Sequence, residues 1–471
     1  MHPPEGPPIC TPLNALPPSM PPPILKMISL SVVPIGTSTS PVFANATLAL
    51  VDIKQDVLNA MMTLAKRVFK YAKVNVKVIG STDRRRILEG SDFVVLTYSY
   101  RNTYYRGIDT AIAAKHGILM CSSDTIGPGG IFRAMRELPV AIDIAKDVKK
   151  MAPDAWMINF VNPTSVMGVG LKRYAPYVKS FALCDGHHEP YNTLYWCKVV
   201  GILPEKATEV PPNVWQKLDL AIGGVNHCTW IVRFNYDGKN MMPKLYEWVA
   251  KQAELEKKDP HEHSKARYNM TYALQLFDIY GAYPTAIGHT KEYVPFYQGY
   301  GKAPVVPEPI RLFDSNERQK IMDDAWQETQ AYAKGRKPIA EFMKAVHNDH
   351  ATDIIESMWG NLRKPFYINN FNNGAVTNMP HEAFLELRSD LDMRGPRPQP
   401  FGEMPRGLLA LQHQVLDTHE LTAQAAVMGD KTILRRAMLT DPICNNISDA
   451  DACIKELLEA EKEILPKYWY K

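Results

Sequence analysis

The chain predicts an α/β fold, with a doubly wound parallel sheet followed by a mixed, mostly helical C-terminal domain. Three observations carry this. Short apolar runs alternate with amphipathic stretches from residue 28 to about 203, the pattern of successive βαβ units. Beyond about residue 205, long helical periodicities take over. Polar clusters directly follow several apolar runs, which puts them at strand carboxyl ends, where open α/β sheets bind ligands. The chain therefore divides into a tail over 1–27, a first domain over 28–204 and a second over 205–471.

The tail holds ten prolines within residues 1–23, including Pro21-Pro22-Pro23, and is expected to be extended and disordered. Strands are expected over 28–33, 47–52, 74–79, 93–97, 118–121, 156–159 and 181–183, with helices over 57–71, 131–149 and 190–200 between them. In the second domain 218–222 and 230–236 read as strands, and Tyr236-Asp237-Gly238-Lys239 as a hairpin turn. Helices are expected over 242–257, 264–280, 315–334, 338–347 and 407–427. A last helix is capped by Ser448, buries Ile454, Leu457, Leu458, Ile464 and Leu465, and stops at Pro466.

A length of 471 residues allows a large core in two joined domains. A net charge of +4 is too small for this length to imply a nucleic-acid or membrane surface. No apolar run approaches the ~18 residues of a membrane span. Seven cysteines without a CxxC pair argue against a disulfide framework and for a reducing compartment, the cytoplasm.

Cys184 and His227, 43 residues apart and each following an apolar run, could hold a divalent metal beside a polar ligand. His187 and His188 are alternative ligands. Asp124 heads the loop Asp124-Thr125-Ile126-Gly127-Pro128-Gly129-Gly130, whose glycines admit close backbone approach before a helix N-terminus. Asn162 follows a strand, and its amide can donate to and accept from hydroxyl groups. Asp52 closes the second strand, where a dinucleotide fold keeps an acid for the adenine ribose. The glycine-rich turn such a fold needs is reduced to Gly36-Thr37-Ser38, and only ten residues separate Gly36 from Thr47. A whole crossover needs at least ~10–12 residues.

Together the Asp124 loop, Val161-Asn162-Pro163-Thr164, the stretch around Cys184, Gly224-Val225-Asn226-His227, and the later Ile368-Asn369-Asn370-Phe371-Asn372-Asn373-Gly374 and Asn378-Met379-Pro380 resemble glycoside hydrolase family four. The nearest likeness is to its α-galactosidase and α-galacturonidase branch. The resemblance implies a Rossmann-like fold of the lactate/malate dehydrogenase superfamily, with an NAD-binding first domain and a second domain for substrate and subunit contacts. It also implies NAD, manganese or another divalent metal, a small carbohydrate substrate, and a homodimer or homotetramer. The implied reaction removes hydride from C3 of an α-galactoside or α-uronide and eliminates the C1 leaving group after a base takes the C2 proton. Water then adds, and the hydride returns to C3.

By the same resemblance Cys184 and His227 are the metal ligands and Asn162 binds substrate. Asp124 sits by the metal and the reacting carbons, and Asp185 protonates the leaving oxygen. Gly36 and Asp52 serve the nucleotide. His289 is the base, with Tyr283 in reserve, and Arg101, with Arg106, supplies charge for an acidic substrate group. Two alternatives stay open: an NAD-dependent dehydrogenase of the lactate/malate superfamily, and a catalytically inactive sugar- or metal-binding relative.

Overall fold

The structure is a computed structural model that describes residues 27–29, 41–184, 186–258, 269–298, 310–345, 350–444 and 446–471. The tail before Met27, the turn at Gly36 and Asp185 lie outside the described residues. Its strands are β1 (Met27–Ser29), β2 (Thr47–Val51), β3 (Lys77–Ser81), β4 (Phe93–Leu96), β5 (Trp156–Asn159), β6 (Lys179–Ala182), β7 (Leu218–Val225), β8 (Cys228–Tyr236), β9 (Lys239–Asn240), β10 (Tyr283–Pro284), β11 (Pro365–Phe371), β12 (Phe384–Asp392) and β13 (Gly395–Pro398).

Strands β1, β2 and β3 pair in parallel, as do β4, β5 and β6. The first three form one sheet and the second three belong to a ten-stranded sheet; β1 lies beside β4 with no ladder between them among the described residues, so the six strands follow the order β3-β2-β1-β4-β5-β6. This is the doubly wound arrangement whose ligand crevice opens where the order reverses, between β1 and β4. The sheet then continues without a break. Asn369 on β11 pairs with Ala182 on β6, and β12, β7, β8 and β10 follow antiparallel. The boundary expected at 204/205 thus crosses a single sheet, in which Ala182 near the end of β6 lies in one row with Asn369, Glu386 and Gly224 near the end of the oppositely directed β7.

The helix Gln55–Ala72 shows how pattern becomes packing. Leu58, Met61, Leu64, Ala65, Val68 and Phe69 recur at steps of three and four and are all buried. Lys73 ends the helix at φ 57° and donates its amide to Lys70 and Phe69. Truncating Leu64, which is 1% exposed, should cost about 2–5 kcal/mol. The helix Gly127–Met151 is different, because residues 127–138 are buried all round. It packs against the helices Arg406–Met428, Thr164–Tyr174 and Asn102–Lys115.

Several expectations shift. The 118–121 run belongs to no ladder, because side chains satisfy its backbone. The Gln298 amide bonds both the N–H and the C=O of Leu119 (2.7 and 3.0 Å), and Glu292 accepts from the amides of Cys121 and Ser122 (2.7 and 2.8 Å). The third strand starts at Lys77 instead of residue 74. Asn446, not Ser448, caps the helix Ile447–Ala460, its side chain accepting from the Asp449 amide at 3.2 Å. The Asp237-Gly238 turn forms with both residues at positive φ, joining β8 to β9. Helices over Asn102–Lys115, Thr164–Tyr174, His350–Trp359 and Lys431–Thr440 add to those expected, as do β11 and β12.

Candidate active site

The two-residue turn Asn226-His227 joins β7 to β8, and His227 sits at φ 63°. That left-handed conformation suits glycine, and a non-glycine residue there costs on the order of 1–3 kcal/mol. Tertiary contacts hold it in place. The buried Gln412 accepts from the Val225 amide (2.7 Å) and donates to the Cys228 carbonyl (2.8 Å). Asn226 donates to Glu386 (2.7 Å), Tyr293 donates to the Asn226 carbonyl (3.3 Å), and Thr290 donates to the His227 carbonyl (3.0 Å).

So fixed, the imidazole points its Nε2 at Cys184 Sγ, 3.1 Å away, and its Nδ1 at Thr125 Oγ1, 3.0 Å away. His289 stacks on its face, with ring centroids 4.1 Å apart and planes at 17°. Donor atoms of Asp124, His227 and His289 all lie within 4.8 Å of one another. Burial, then the neighbouring His227, push the His289 imidazole down to about 4, so it is neutral near pH 7. Its Nδ1 is buried without a hydrogen-bond partner.

Asp124 lies on a loop laid across the first turn of the helix Gly127–Met151. A Cβ at Gly129 would come within 2.2 Å of Ser123 Oγ, and one at Gly130 within 2.3 Å of the Thr125 backbone, so the close approach needs both glycines. Both carboxylate oxygens of Asp124 are engaged. Oδ1 accepts from Ser122 (2.5 Å) and Thr125 (3.2 Å), and Oδ2 from Arg133 (3.0 Å) and Asn162 (3.3 Å), with Arg106 at 3.6 Å. Burial alone would raise its pKa, but Arg106 and Arg133 outweigh it and hold the carboxyl well below the usual range. The Asn162 amide also accepts from Thr164 Oγ1 (2.6 Å), which orients it.

Comparison with known families settles what kind of chain this is. Residues 32–194 match the model described as "Family 4 glycosyl hydrolase", and residues 222–444 match that family's C-terminal domain. The chain belongs to glycosyl hydrolase family 4. An alpha-galactosidase of Bacillus subtilis is 27% identical over 430 residues, covering 89% of this chain and 92% of that protein. An alpha-galacturonidase of the same organism is 27% identical over 384 residues, covering 80% and 82%. A solved 6-phospho-beta glucosidase of Thermotoga maritima with manganese, NAD+ and glucose-6-phosphate superposes with a TM-score of 0.71 at 19% identity, covering 94% and 98%. A 6-phospho-alpha-glucosidase from gut microorganisms in complex with NAD and Mn2+ gives a TM-score of 0.70 at 19% identity, covering 89% and 92%.

Most other residues singled out in this family 4 chain make their contacts outside the cluster. Arg101 is exposed, its guanidinium 4.2 Å over the Tyr104 ring, whereas Arg106 reaches Asp124. Asp52 follows β2 and accepts from the Lys54 amide at 2.8 Å. His187 Nε2 lies 3.1 Å from both Thr229 and Thr285 hydroxyls, and His188 pairs with Asp353 at 3.1 Å. Tyr283 packs among Trp196 and Phe277, and burial raises its hydroxyl far above the ordinary tyrosine range. Sequence reasoning missed Arg133, Gln412, Glu386 and Thr125. Thr125 stood in a quoted motif, Arg133 lies three residues past one, and Glu386 and Gln412 carry no local signal.

Proposed function

We propose that the protein is a glycosidase acting on a small α-galactoside or α-uronide through C3 oxidation, elimination, water addition and re-reduction, with NAD and Mn2+ or another divalent metal. The observation that carries this is the approach of Cys184 Sγ to within 3.1 Å of His227 Nε2, with His289 and Asp124 beside His227 in a group that does not include Cys184. A thiolate and an imidazole this close suit one divalent ion, which Cys184 and His227 would hold and which would supply a Lewis acid there. The alpha-galactosidase and alpha-galacturonidase relatives support the substrate class. The two solved structures with NAD and manganese support the cofactors.

When bound, NAD supplies a hydride acceptor and the metal a Lewis acid. The protein's own groups do the rest. Cys184 and His227 hold the ion, and Asn162, fixed by Thr164, orients the sugar hydroxyls. Asp124 stays ionised, which positions Asn162 and balances the buried Arg106 and Arg133. His289, neutral and with a free Nδ1, accepts the C2 proton. Asp185 donates to the leaving oxygen, Arg101 meets an acidic group of the substrate, and Gly36 and Asp52 serve the nucleotide. The protein works as a homodimer or homotetramer in the cytoplasm; the location is supported by six cysteines, among the described residues, that form no disulfide.

The test is release of phenol from aryl α-galactosides, α-glucosides and α-galacturonides, with and without NAD and Mn2+. Release that needs both, with no net NADH, is expected. Hydrolysis that survives removal of both would overturn the mechanism. NADH accumulation with a hydroxy acid would make the protein a dehydrogenase, and inactivity on every glycoside an inactive relative.

A further inference from the structure

We propose that Thr125 is a positioning residue for the metal site, a hydroxyl relay that locks His227 in the tautomer presenting Nε2 to the ion. The proposal rests on the reading that Cys184 and His227 hold a divalent metal. His227 has two distinct nitrogens, and the structure gives each its own task. Nε2 faces Cys184 Sγ at 3.1 Å, so as a ligand it must carry no proton. The ring proton then sits on Nδ1, whose neighbour at 3.0 Å is the Thr125 hydroxyl.

A threonine hydroxyl has one donor and two acceptor lone pairs. Here Oγ1 accepts from His227 Nδ1 and gives its own proton to Asp124 Oδ1, 3.2 Å away. With the proton on Nδ1 the directions along this chain follow: His227 donates to Thr125, and Thr125 donates to Asp124, whose carboxylate is paired with Arg133 at 3.0 Å. Arg133 and Asn162 occupy Oδ2 of Asp124, which leaves Oδ1 for the hydroxyls of Ser122 and Thr125. The relay is rigid at its other end too, because His419 Nε2 lies 3.2 Å from the Thr125 carbonyl and Thr125 itself is 1% exposed. Metal-bound histidines characteristically give their second nitrogen such a partner, and removing it weakens metal affinity about 10–100-fold.

The experiment is an EPR titration of the full chain with Mn2+, without sugar, for wild type, Thr125→Val, Thr125→Ser and Thr125→Ala. Valine keeps the shape and removes the acceptor. It should raise the Mn2+ Kd about 10–100-fold, alanine should do likewise, and serine should stay within about 3-fold of wild type. Circular dichroism and thermal unfolding confirm that the variants fold, and alanine answers the question if valine does not. Wild-type affinity in a folded valine or alanine variant would overturn the proposal. So would a serine variant as weak as valine, which would mark the site as one of packing. The underlying metal reading fails in a different way: Mn2+ would then fail to bind wild type, or would bind Cys184→Ser and His227→Ala as tightly as wild type.

Discussion

The proposed metal corner, at the turn between β7 and β8, and the proposed nucleotide edge, at the turn after β2, are built differently. At the metal corner, the turn carrying His227 is tied by Gln412, Glu386, Tyr293 and Thr290, while Asp441 accepts the Gly127 amide at 2.7 Å beside the Asp124 loop. All of these come from residues far along the chain. At the nucleotide edge Asp52, among the described residues, bonds only to the amide two residues on. A left-handed histidine and a saturated carboxylate need a tertiary frame to hold them, whereas an acid after a strand needs only its own turn. Loss of function by mutation should therefore be steep at the first place and shallow at the second.

The steepest effect is expected at Cys184 and His227, the proposed metal ligands. His227→Ala or Cys184→Ser should remove several kcal/mol of Lewis-acid stabilisation, so glycoside cleavage should fall roughly 10⁴-fold while the protein stays folded. Steady-state kinetics with saturating Mn2+ measures this. Full activity in either variant would refute the ligand assignment.

Next comes the support beneath the Asp124 loop. Burial pushes the Asp441 carboxyl up to about 7, although the Gly127 and Ile443 amides donate to it. An acid raised in the folded state stays protonated there while the unfolded chain ionises. Its contribution is thus fully present below the unfolded pKa near ~3.9 and disappears as pH rises through about 7. Urea unfolding should show wild type losing on the order of 4 kcal/mol across that window relative to Asp441→Asn, which cannot titrate. Parallel curves for the two proteins would show that Asp441 is ionised throughout.

Below these lies the proton acceptor. His289→Gln should lower kcat about 10²-fold with Mn2+ affinity nearly unchanged, since His289 is assigned proton transfer and no metal bond. If Mn2+ affinity fell in step with kcat, His289 would be a third ligand, a role its distance to Asp124 and His227 also allows.

This contrast also explains which parts were legible in the sequence. The strand-end pair Cys184 and His227 could be read because each follows an apolar run, and the structure brings them together. The doubly wound order followed from the same alternation. What held His227 could not be read, since Gln412 lies mid-helix and Glu386 mid-strand, and nothing local marks either as facing a turn some 160–190 residues away. The 118–121 run misled for a related reason. Its apolar pattern is that of a strand, but its hydrogen-bond partners are the side chains of Gln298 and Glu292, which periodicity does not register.

The smallest effect is expected at Asp52. If its carboxylate accepts from the adenine ribose, Asp52→Ala removes one charge-assisted hydrogen bond of about 1.5 kcal/mol and should weaken NAD binding roughly 10-fold. The Lys54 amide already takes Oδ1 at 2.8 Å, so the loop loses a local turn contact as well, but no contact to the metal corner. Mn2+ affinity should therefore hold at the wild-type value while the NAD Kd, read by protein fluorescence, rises. An unchanged NAD Kd would leave Asp52 as the start of a loop. A fall in both affinities would show that the two places are coupled, which the separate ties of Asp52 and His227 argue against.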